Sequence, residues 1–478
     1  MLFMSDLTQK KQSLLGGTAI YFVGNVLTQL ISLLLLRFVT GNIPSEGYGY
    51  FNLVVTIDHL ITPILTLQIS DAVFRFTIKA GNEKEKTQYY TVGTVVVFSG
   101  ATLVCVGVVA LSGVFGIQYP GLVAVYIIST NLFAYYQKVC RALGKGKYYV
   151  LSNLVKAVIY IFGQVVFVIS WKMGVAGLFL ANIISTMICV VLLLITSKSH
   201  RYFALKSFEK AVMGKMVRFS APLIPNTAVW WMQSSINSIV IGFVLGMGAN
   251  GVYTVANKFS SILNLIIGVF SMAWQESAIK EYGTKEYRRF ATESFNGYSV
   301  ILFSGVALII PIMKILMPKM IDPSYYEALT YAPFLLYATA LSAFSGFFSS
   351  IITAKNQTPK LLITNIIGSI SNVLIVLVFI RLIGIWAVLL SAVACNVLLD
   401  LSRYYVVRKD FENSSIRYLA INSALALGIL NSIVYYSCSD AINVITFVLT
   451  ALAFPALNRV LLLDIRKMVK EKMRRREP

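Results

Sequence analysis

The chain reads as an all-α membrane protein. It has about fourteen transmembrane helices, forming two parallel six-helix lobes plus two C-terminal helices, with both termini cytoplasmic. Three observations predict this. Of 478 residues, 57% are hydrophobic and only 13% charged, roughly half the charged share of a soluble domain. Runs long enough to cross the ~30 Å hydrocarbon core recur from end to end. Basic residues collect in every second connection, the pattern left by a chain that re-crosses one membrane.

The apolar segments run at about 13–38, 49–74, 89–114, 119–139, 148–171, 174–197, 219–245, 251–279, 294–316, 328–353, 359–381, 384–406, 416–437 and 441–463. Connections after even-numbered segments are basic: Gly81–Lys86, Gly144–Lys147, Lys198–Arg218, Lys280–Arg289, Lys355–Lys360 and Arg403–Arg417, followed by the tail Lys470–Arg476. Connections after odd-numbered segments, such as Thr40–Glu46, are nearly free of Lys and Arg. All but seven basic residues (Arg37, Lys156, Lys172, Lys258, Lys314, Lys319 and Arg381) fall on the basic side. The span count is therefore even, and that side is cytoplasmic. The net charge of +21 is mostly topological rather than a nucleic-acid signal, and it also suits anionic lipid headgroups. The first 15 residues do not form a cleavable signal, because the helix behind their basic pair is too long. All five cysteines lie in apolar segments, which favours core packing over disulfides or metal.

An internal repeat defines the lobes. At an offset of 205, Tyr21, Asn25, Thr28 and Ser32 fall on Asn226, Trp230, Gln233 and Asn237. After the first loop the offset is 202, and Gly49-Tyr50-Phe51 matches Gly251-Val252-Tyr253. Later, Asn153 matches Asn365 at an offset of 212. The expected domains are 1–197 (first lobe), 198–218 (basic cytoplasmic linker), 219–406 (second lobe), 407–463 (helices 13–14) and 464–478 (basic tail). Six is even, so the lobes are parallel, an arrangement of transporters that rock one half against the other.

Polar residues recur at helical spacing inside the apolar segments. The first helix carries Thr18, Tyr21, Asn25, Thr28 and Ser32 along one face. The fifth carries Asn153, Lys156, Tyr160 and Gln164, the seventh Asn226, Trp230, Gln233 and Asn237, and the eleventh Asn365, Ser369 and Asn372. Any one row could serve interhelical hydrogen bonding. Matched rows in both halves fit a wet cavity lined by amides and hydroxyls, groups that suit a sugar. Charges within the spans are costly unless paired or hydrated. Lys156 and Lys258 are the candidate anion ligands, with Arg37 and Arg75 nearer the two faces. Asp58 and Glu276 are the candidates for proton or sodium coupling. His59 follows Asp58, and Pro63 should kink the second span. There is no phosphate-binding loop with Lys and Ser/Thr, no metal-ligand spacing and no catalytic triad pattern. No cofactor and no enzymatic activity are expected.

The blocks Pro222-Leu223-Ile224-Pro225-Asn226, Gly248-Ala249-Asn250-Gly251-Val252-Tyr253 and Trp274-Gln275-Glu276-Ser277-Ala278 resemble the bacterial polysaccharide flippases. These are the Wzx-type members of the multidrug/oligosaccharidyl-lipid/polysaccharide (MOP) exporter superfamily. Ser45–Leu53 resembles the equivalent turn of the first half. The resemblance implies a carrier in the bacterial cytoplasmic membrane. It moves undecaprenyl-diphosphate-linked oligosaccharide outward by ion-coupled alternating access, alongside a polysaccharide polymerase. Helices 13–14 then help to form a groove for the lipid tail. Relatives often carry Asp-Arg where this chain has Ile236-Asn237, so either Lys258 or Lys156 supplies the headgroup cation or the headgroup is held differently, with Asn25, Asn226, Gln233 and Asn237 as neutral lining. The alternatives are a multidrug or cation antiporter, a lipid II flippase, and a membrane enzyme; no outer loop is large enough for the last.

Overall fold

In the computed structural model, which describes residues 32–459, all regular secondary structure of those residues is helical. The chain forms two compact units, Met1–Gly251 and Val252–Pro478. Nine helices among the described residues are long and apolar enough to cross a membrane, and one bent pair adds a tenth. This is a multi-pass membrane protein.

The first unit contains α1 (Leu36–Asn42), α2 (Ser45–Leu65), α3 (Ile69–Lys79), α4 (Glu83–Phe115) and α5 (Pro120–Ala142). It continues with α6 (Gly146–Gly163), which runs on as a π-helical stretch Gln164–Ser170, then α7 (Gly174–Ser197), α8 (Lys210–Ser220) and α9 (Ile224–Val244). Local chemistry sets these boundaries. The Asn82 side chain accepts from the Glu85 amide at 2.8 Å and starts α4, satisfying one of the orphan amides of a helix N-terminus. Pro120 opens α5, where its missing N–H costs nothing. Gly116, at φ +60°, closes α4 in the left-handed region that glycine enters freely.

The second expected span is two helices. Pro63 removes one backbone donor. Just beyond it the helix breaks at Leu67 and Gln68, both at φ +50°. The Gln68 amide folds back to the Pro63 carbonyl at 2.9 Å. The axes of α2 and α3 then differ by 56°. Two consecutive non-glycine residues in the left-handed region mark a strained backbone that the surrounding packing must hold.

Below the break, the core of this unit gathers Ile69, Val73, Tyr90, Tyr135, Cys140 and Leu193. Tyr135 is fully buried, and its hydroxyl pairs with Thr94 at 2.9 Å and donates to the Tyr90 carbonyl at 3.2 Å. A buried phenol with both partners satisfied supports the packing rather than opposing it.

The second unit holds most of α10 (Met247–Glu281), then α11 (Tyr287–Met320), α12 (Ala328–Ala354), α13 (Thr358–Ile383), α14 (Ile385–Val407), α15 (Tyr418–Ser437) and α16 (Asp440–Leu457). Its core is an aromatic stack. Trp274 lies 4.2 Å from Phe347 and donates to the Phe347 carbonyl at 3.0 Å, while Phe270 lies 3.9 Å from Tyr298. The Trp of the Trp-Gln-Glu motif therefore serves packing. Asn431 of α15 donates to the Ala307 carbonyl of α11 and to Thr450 of α16, both at 2.8 Å. Within the apolar windows, 67% of α12 is buried and only 11% of α16, so α12 is a central helix and α16 turns most of its surface to lipid.

The repeat is visible in the backbone. Gly144 and Asn356, 212 residues apart, both take positive φ just after α5 and α12. The next amide in each case reaches back five residues, Lys145 to Cys140 at 3.0 Å and Gln357 to Ile352 at 3.1 Å. The same C-terminal motif closes both helices.

Candidate functional site

A charged cluster sits inside the first unit, between α2, α5 and α6. Asp58 is 4% exposed. Thr62, one turn along α2, donates to one carboxylate oxygen at 2.7 Å, and Thr130 of α5 donates to the other at 2.8 Å. Lys156 of α6 is half-buried, with its ammonium 4.8 Å from the centroid of the Phe133 ring. Lys156 and Asp58 interact electrostatically. An ammonium over an aromatic face keeps part of the stabilisation it loses with its water. A carboxylate fed by two rotatable hydroxyls can hold a cation or a proton, because each hydroxyl can donate or accept. His59 beside it is exposed.

A second cluster forms at the α2–α3 break. Gln68 donates to Asp71 at 3.1 Å, Asp71 pairs with Lys138 of α5 at 2.7 Å, and Thr227 of α9 donates to the Gln68 side-chain oxygen at 3.1 Å. Above it, Trp231 of α9 donates to the Thr56 carbonyl of α2 at 2.7 Å, and Asn52 donates to Ser238 at 3.2 Å. Discontinuous helices with polar companions are a recurring feature of substrate sites in transporters.

The start of α2 meets the start of α10 in a backbone seam. A Cβ on Gly49 would lie 1.9 Å from the Met247 carbonyl oxygen, and one on Gly251 would lie 2.0 Å from that of Ser45. These two contacts are repeat equivalents, since Ser45 and Gly49 map onto Met247 and Gly251 at the offset of 202. Asn250, fully buried, donates to the Gly49 carbonyl at 2.9 Å. Small residues four apart allow this approach. Both contributing turns are free of Lys and Arg.

The second unit has its own buried polar network, which the residue pattern does not reveal. By sequence, Arg403 opens a basic connection. In the fold it lies inside α14 and is 4% exposed. Its guanidinium donates to the Ser345 carbonyl at 2.7 Å, to the Asn365 side chain at 2.5 Å and to Thr364 at 3.3 Å, joining α12, α13 and α14. Ser345 also donates to Asp400. The one signal for this network is Asp400-x-x-Arg403, one turn apart at the end of an apolar run. Arg403→Met strands Asp400 and the carbonyl partners. It is expected to cost ~3–5 kcal/mol and to lower the thermal midpoint by on the order of 10 °C, read by fluorescence-detected size exclusion after heating. The double variant with Asp400→Asn should recover part of that loss.

The remaining predicted residues are dispersed. Lys258 is half-buried in α10, and its carbonyl accepts from Ser261 at 2.7 Å. Glu276 is exposed and ion-paired with Lys280, one turn on. Asn237 is half-buried in α9, and Arg37 is exposed in α1. Arg75 is exposed, with its guanidinium 4.3 Å over the Phe219 ring. Thr18, Tyr21, Asn25 and Thr28 lie outside the described residues, as do the side chains of Asn226 and Gln233. Among the predicted site residues, the structure brings Asp58 and Lys156 together. It adds Thr62, Thr130, Gln68 and Thr227, which only packing could assemble, and it pairs Asp71 with Lys138.

Comparison with known proteins is decisive at the family level. The family profile described as polysaccharide biosynthesis protein matches residues 14–274, more than half of the chain. The chain belongs to the polysaccharide biosynthesis protein family. This is the Wzx-type flippase family anticipated from the Pro-Leu-Ile-Pro and Trp-Gln-Glu-Ser blocks, within the MOP superfamily. No curated protein sequence matches the chain. Among solved structures, this family member resembles the lipid II flippase MurJ in an inward closed conformation. The TM-score is 0.70 at 14% identity, covering 94% of this chain and 99% of that one. It also resembles an inward-facing multidrug resistance MATE family transporter of the MOP superfamily, with TM-score 0.62 and 14% identity over 80% of this chain and 95% of that one. A third likeness is to the MATE multidrug transporter DinF-BH, with TM-score 0.52 and 18% identity over 82% and 93%. These similarities establish the fold of the family member as MurJ- and MATE-like. The solved structures with this fold are those of a flippase and of transporters.

Proposed function

We propose that this protein translocates undecaprenyl-diphosphate-linked oligosaccharide units from the cytoplasmic to the outer leaflet of the bacterial cytoplasmic membrane, supplying O-antigen, capsule or exopolysaccharide synthesis. The observation that carries this reading is Lys156, a cation held among apolar helices beside Asp58 in a member of a polysaccharide biosynthesis family. A sugar diphosphate cannot cross hydrocarbon unaided, because stripping its charges of water costs far more than thermal energy. Lys156, with Lys258, Arg75 and Arg37, replaces the counterions of the diphosphate, while Asn25, Asn226, Gln233 and Asn237 offer donors and acceptors to the sugar. The lipid tail stays in the bilayer, and its groove involves α15 and α16.

The cycle is alternating access of the two six-helix repeats, 1–197 and 219–406, with both termini cytoplasmic. Asp58 binds the driving proton or sodium ion in the first repeat, and Glu276 is the candidate in the second. Separation of Gly49 from Gly251 opens the outer end. The polysaccharide polymerase is the expected recipient of the product.

Proteoliposomes carrying fluorescent undecaprenyl-diphosphate oligosaccharide test the reading. An ion gradient should speed exposure of the label to an external quencher, and Lys258→Ala should slow it at least tenfold. Export of a cationic dye, with no lipid translocation under the same gradient, would instead establish a multidrug antiporter.

A further inference from the structure

The basic end of the first unit contains a cavity of about 780 Å³, bounded by the end of α3, the start of α4 and the ends of α5 and α7. That is a ligand-sized volume. Five cations (Lys86, Arg141, Lys145, Lys198 and Arg201) line it, against the single carboxylate of Glu83. Glu83 is taken by Lys86 at 2.6 Å. Lys145 donates to the last carbonyls of α7, Thr196 at 3.1 Å and Ser197 at 2.9 Å, which suits a cation at a helix C-terminus. Arg141, Lys198 and Arg201 have no carboxylate partner among the described residues. Arg141 is held in place, with its guanidinium 5.1 Å from the Phe74 ring and 5.2 Å from Tyr149.

The positive-inside rule explains why cations lie on this face. It does not explain why they converge on a concavity, where they repel one another. The equivalent turn of the second unit resolves that repulsion internally, since Lys355 pairs with Asp410 at 2.6 Å and both are largely buried. The first unit has no such acid among its described residues. The wall of the cavity also holds a buried polar group. Thr77, also in the lining, is 5% exposed, and its hydroxyl has no hydrogen-bond partner among the described residues. Most of the other helix threonines here bond a carbonyl one turn back, as Thr66, Thr87 and Thr196 do.

We propose that this cavity binds a phosphate group, as borne by the headgroup of an anionic membrane lipid. Guanidinium and ammonium groups supply charge-assisted hydrogen bonds to phosphate oxygens. The rim favours a lipid over a free anion. Ile78 in the lining is 55% exposed, and Ile195, one turn before Lys198, is 66% exposed. Apolar surface thus runs directly into the basic cavity, as it does where acyl chains meet headgroups. The site is separate from the Asp58–Lys156 cluster and independent of the transported substrate.

The test is titration of fluorescent phosphatidylglycerol into the full-length protein in detergent, with phosphatidylcholine as the neutral comparison. Lys198→Asn and Arg201→Gln alter exposed side chains, and asparagine tolerates the positive φ of Lys198. Each substitution should weaken phosphatidylglycerol binding roughly fivefold, and the pair about 25-fold. Phosphatidylcholine binding should not change. Lys285→Gln with Arg288→Gln, in a different basic connection, is the control and should leave affinity intact. Arg141→Gln adds a further loss, and its melting curve reports whether the stacked guanidinium also supports folding. Displacement by millimolar inorganic phosphate assigns recognition to the phosphate group alone, and resistance to it assigns recognition to the lipid headgroup as a whole. Equal weakening by the control pair, or phosphatidylcholine binding as tightly as phosphatidylglycerol, overturns the site.

Discussion

A single methyl group at Gly49 or Gly251 is expected to abolish transport while leaving the protein folded and inserted. The reason is geometric. A Cβ at Gly49 would lie 1.9 Å from the Met247 carbonyl oxygen, and one at Gly251 would lie 2.0 Å from that of Ser45. The obstructing atoms are backbone, so no rotamer change relieves the overlap; the helix ends must move apart. The Asn250 bond to the Gly49 carbonyl, 2.9 Å long, stretches with them. Gly49→Ala and Gly251→Ala should therefore hold the seam open and reduce lipid translocation more than tenfold. A cysteine placed at Ser45 should react faster with a membrane-impermeant maleimide in either variant than in the parent. Parental transport together with parental labelling would show that the seam is not a gate.

Lys156→Met is expected to have the second large effect, and a double variant separates its two causes. Removing the ammonium leaves Asp58 buried with only the Thr62 and Thr130 hydroxyls, at 2.7 and 2.8 Å. Losing the ammonium removes a favourable electrostatic interaction with the Asp58 carboxylate and should lower thermal stability modestly. Adding Asp58→Asn removes the orphaned charge and should restore much of the thermal stability. Transport should stay lost in the double variant, because the first repeat's cluster then holds neither a cation nor a titratable carboxylate. Transport returning together with stability would reduce the pair to a structural role.

Several features are legible in the amino-acid sequence alone. The apolar runs and the alternation of basic connections announce a multi-pass helical membrane protein. Hydropathy along a chain needs no knowledge of neighbours, because each segment partitions largely on its own composition. The repeat is legible for a related reason. Gly144 and Asn356 occupy equivalent helix ends, and local chain geometry must be encoded locally. The family-specific blocks are contiguous in sequence, so they too can be read directly.

The site is only partly legible. Asp58 and Lys156 stand out as charges within apolar runs, yet nothing in their spacing says that they share a pocket. Asp58 meets Thr130 across 72 residues, and Gln68 meets Thr227 across 159. Arg403 shows the opposite failure. A position at the end of an apolar segment reads as interfacial, but packing of α12, α13 and α14 around the guanidinium buries it. Glu276 is a candidate within a polar row, and its exposed pairing with Lys280 is a matter of which face α10 turns outward. Pro63 forecasts a kink, whereas the full break at Leu67 and Gln68 depends on tertiary contacts able to hold two left-handed residues. Class, membrane character, repeat and family are therefore properties of the linear chain, since they follow from local composition and contiguous motifs. Which charges meet, where the backbones touch at Gly49 and Gly251, and which cations converge at the basic end are properties of the packed fold. They depend on distances between helices far apart in the chain, and no window of sequence contains those distances.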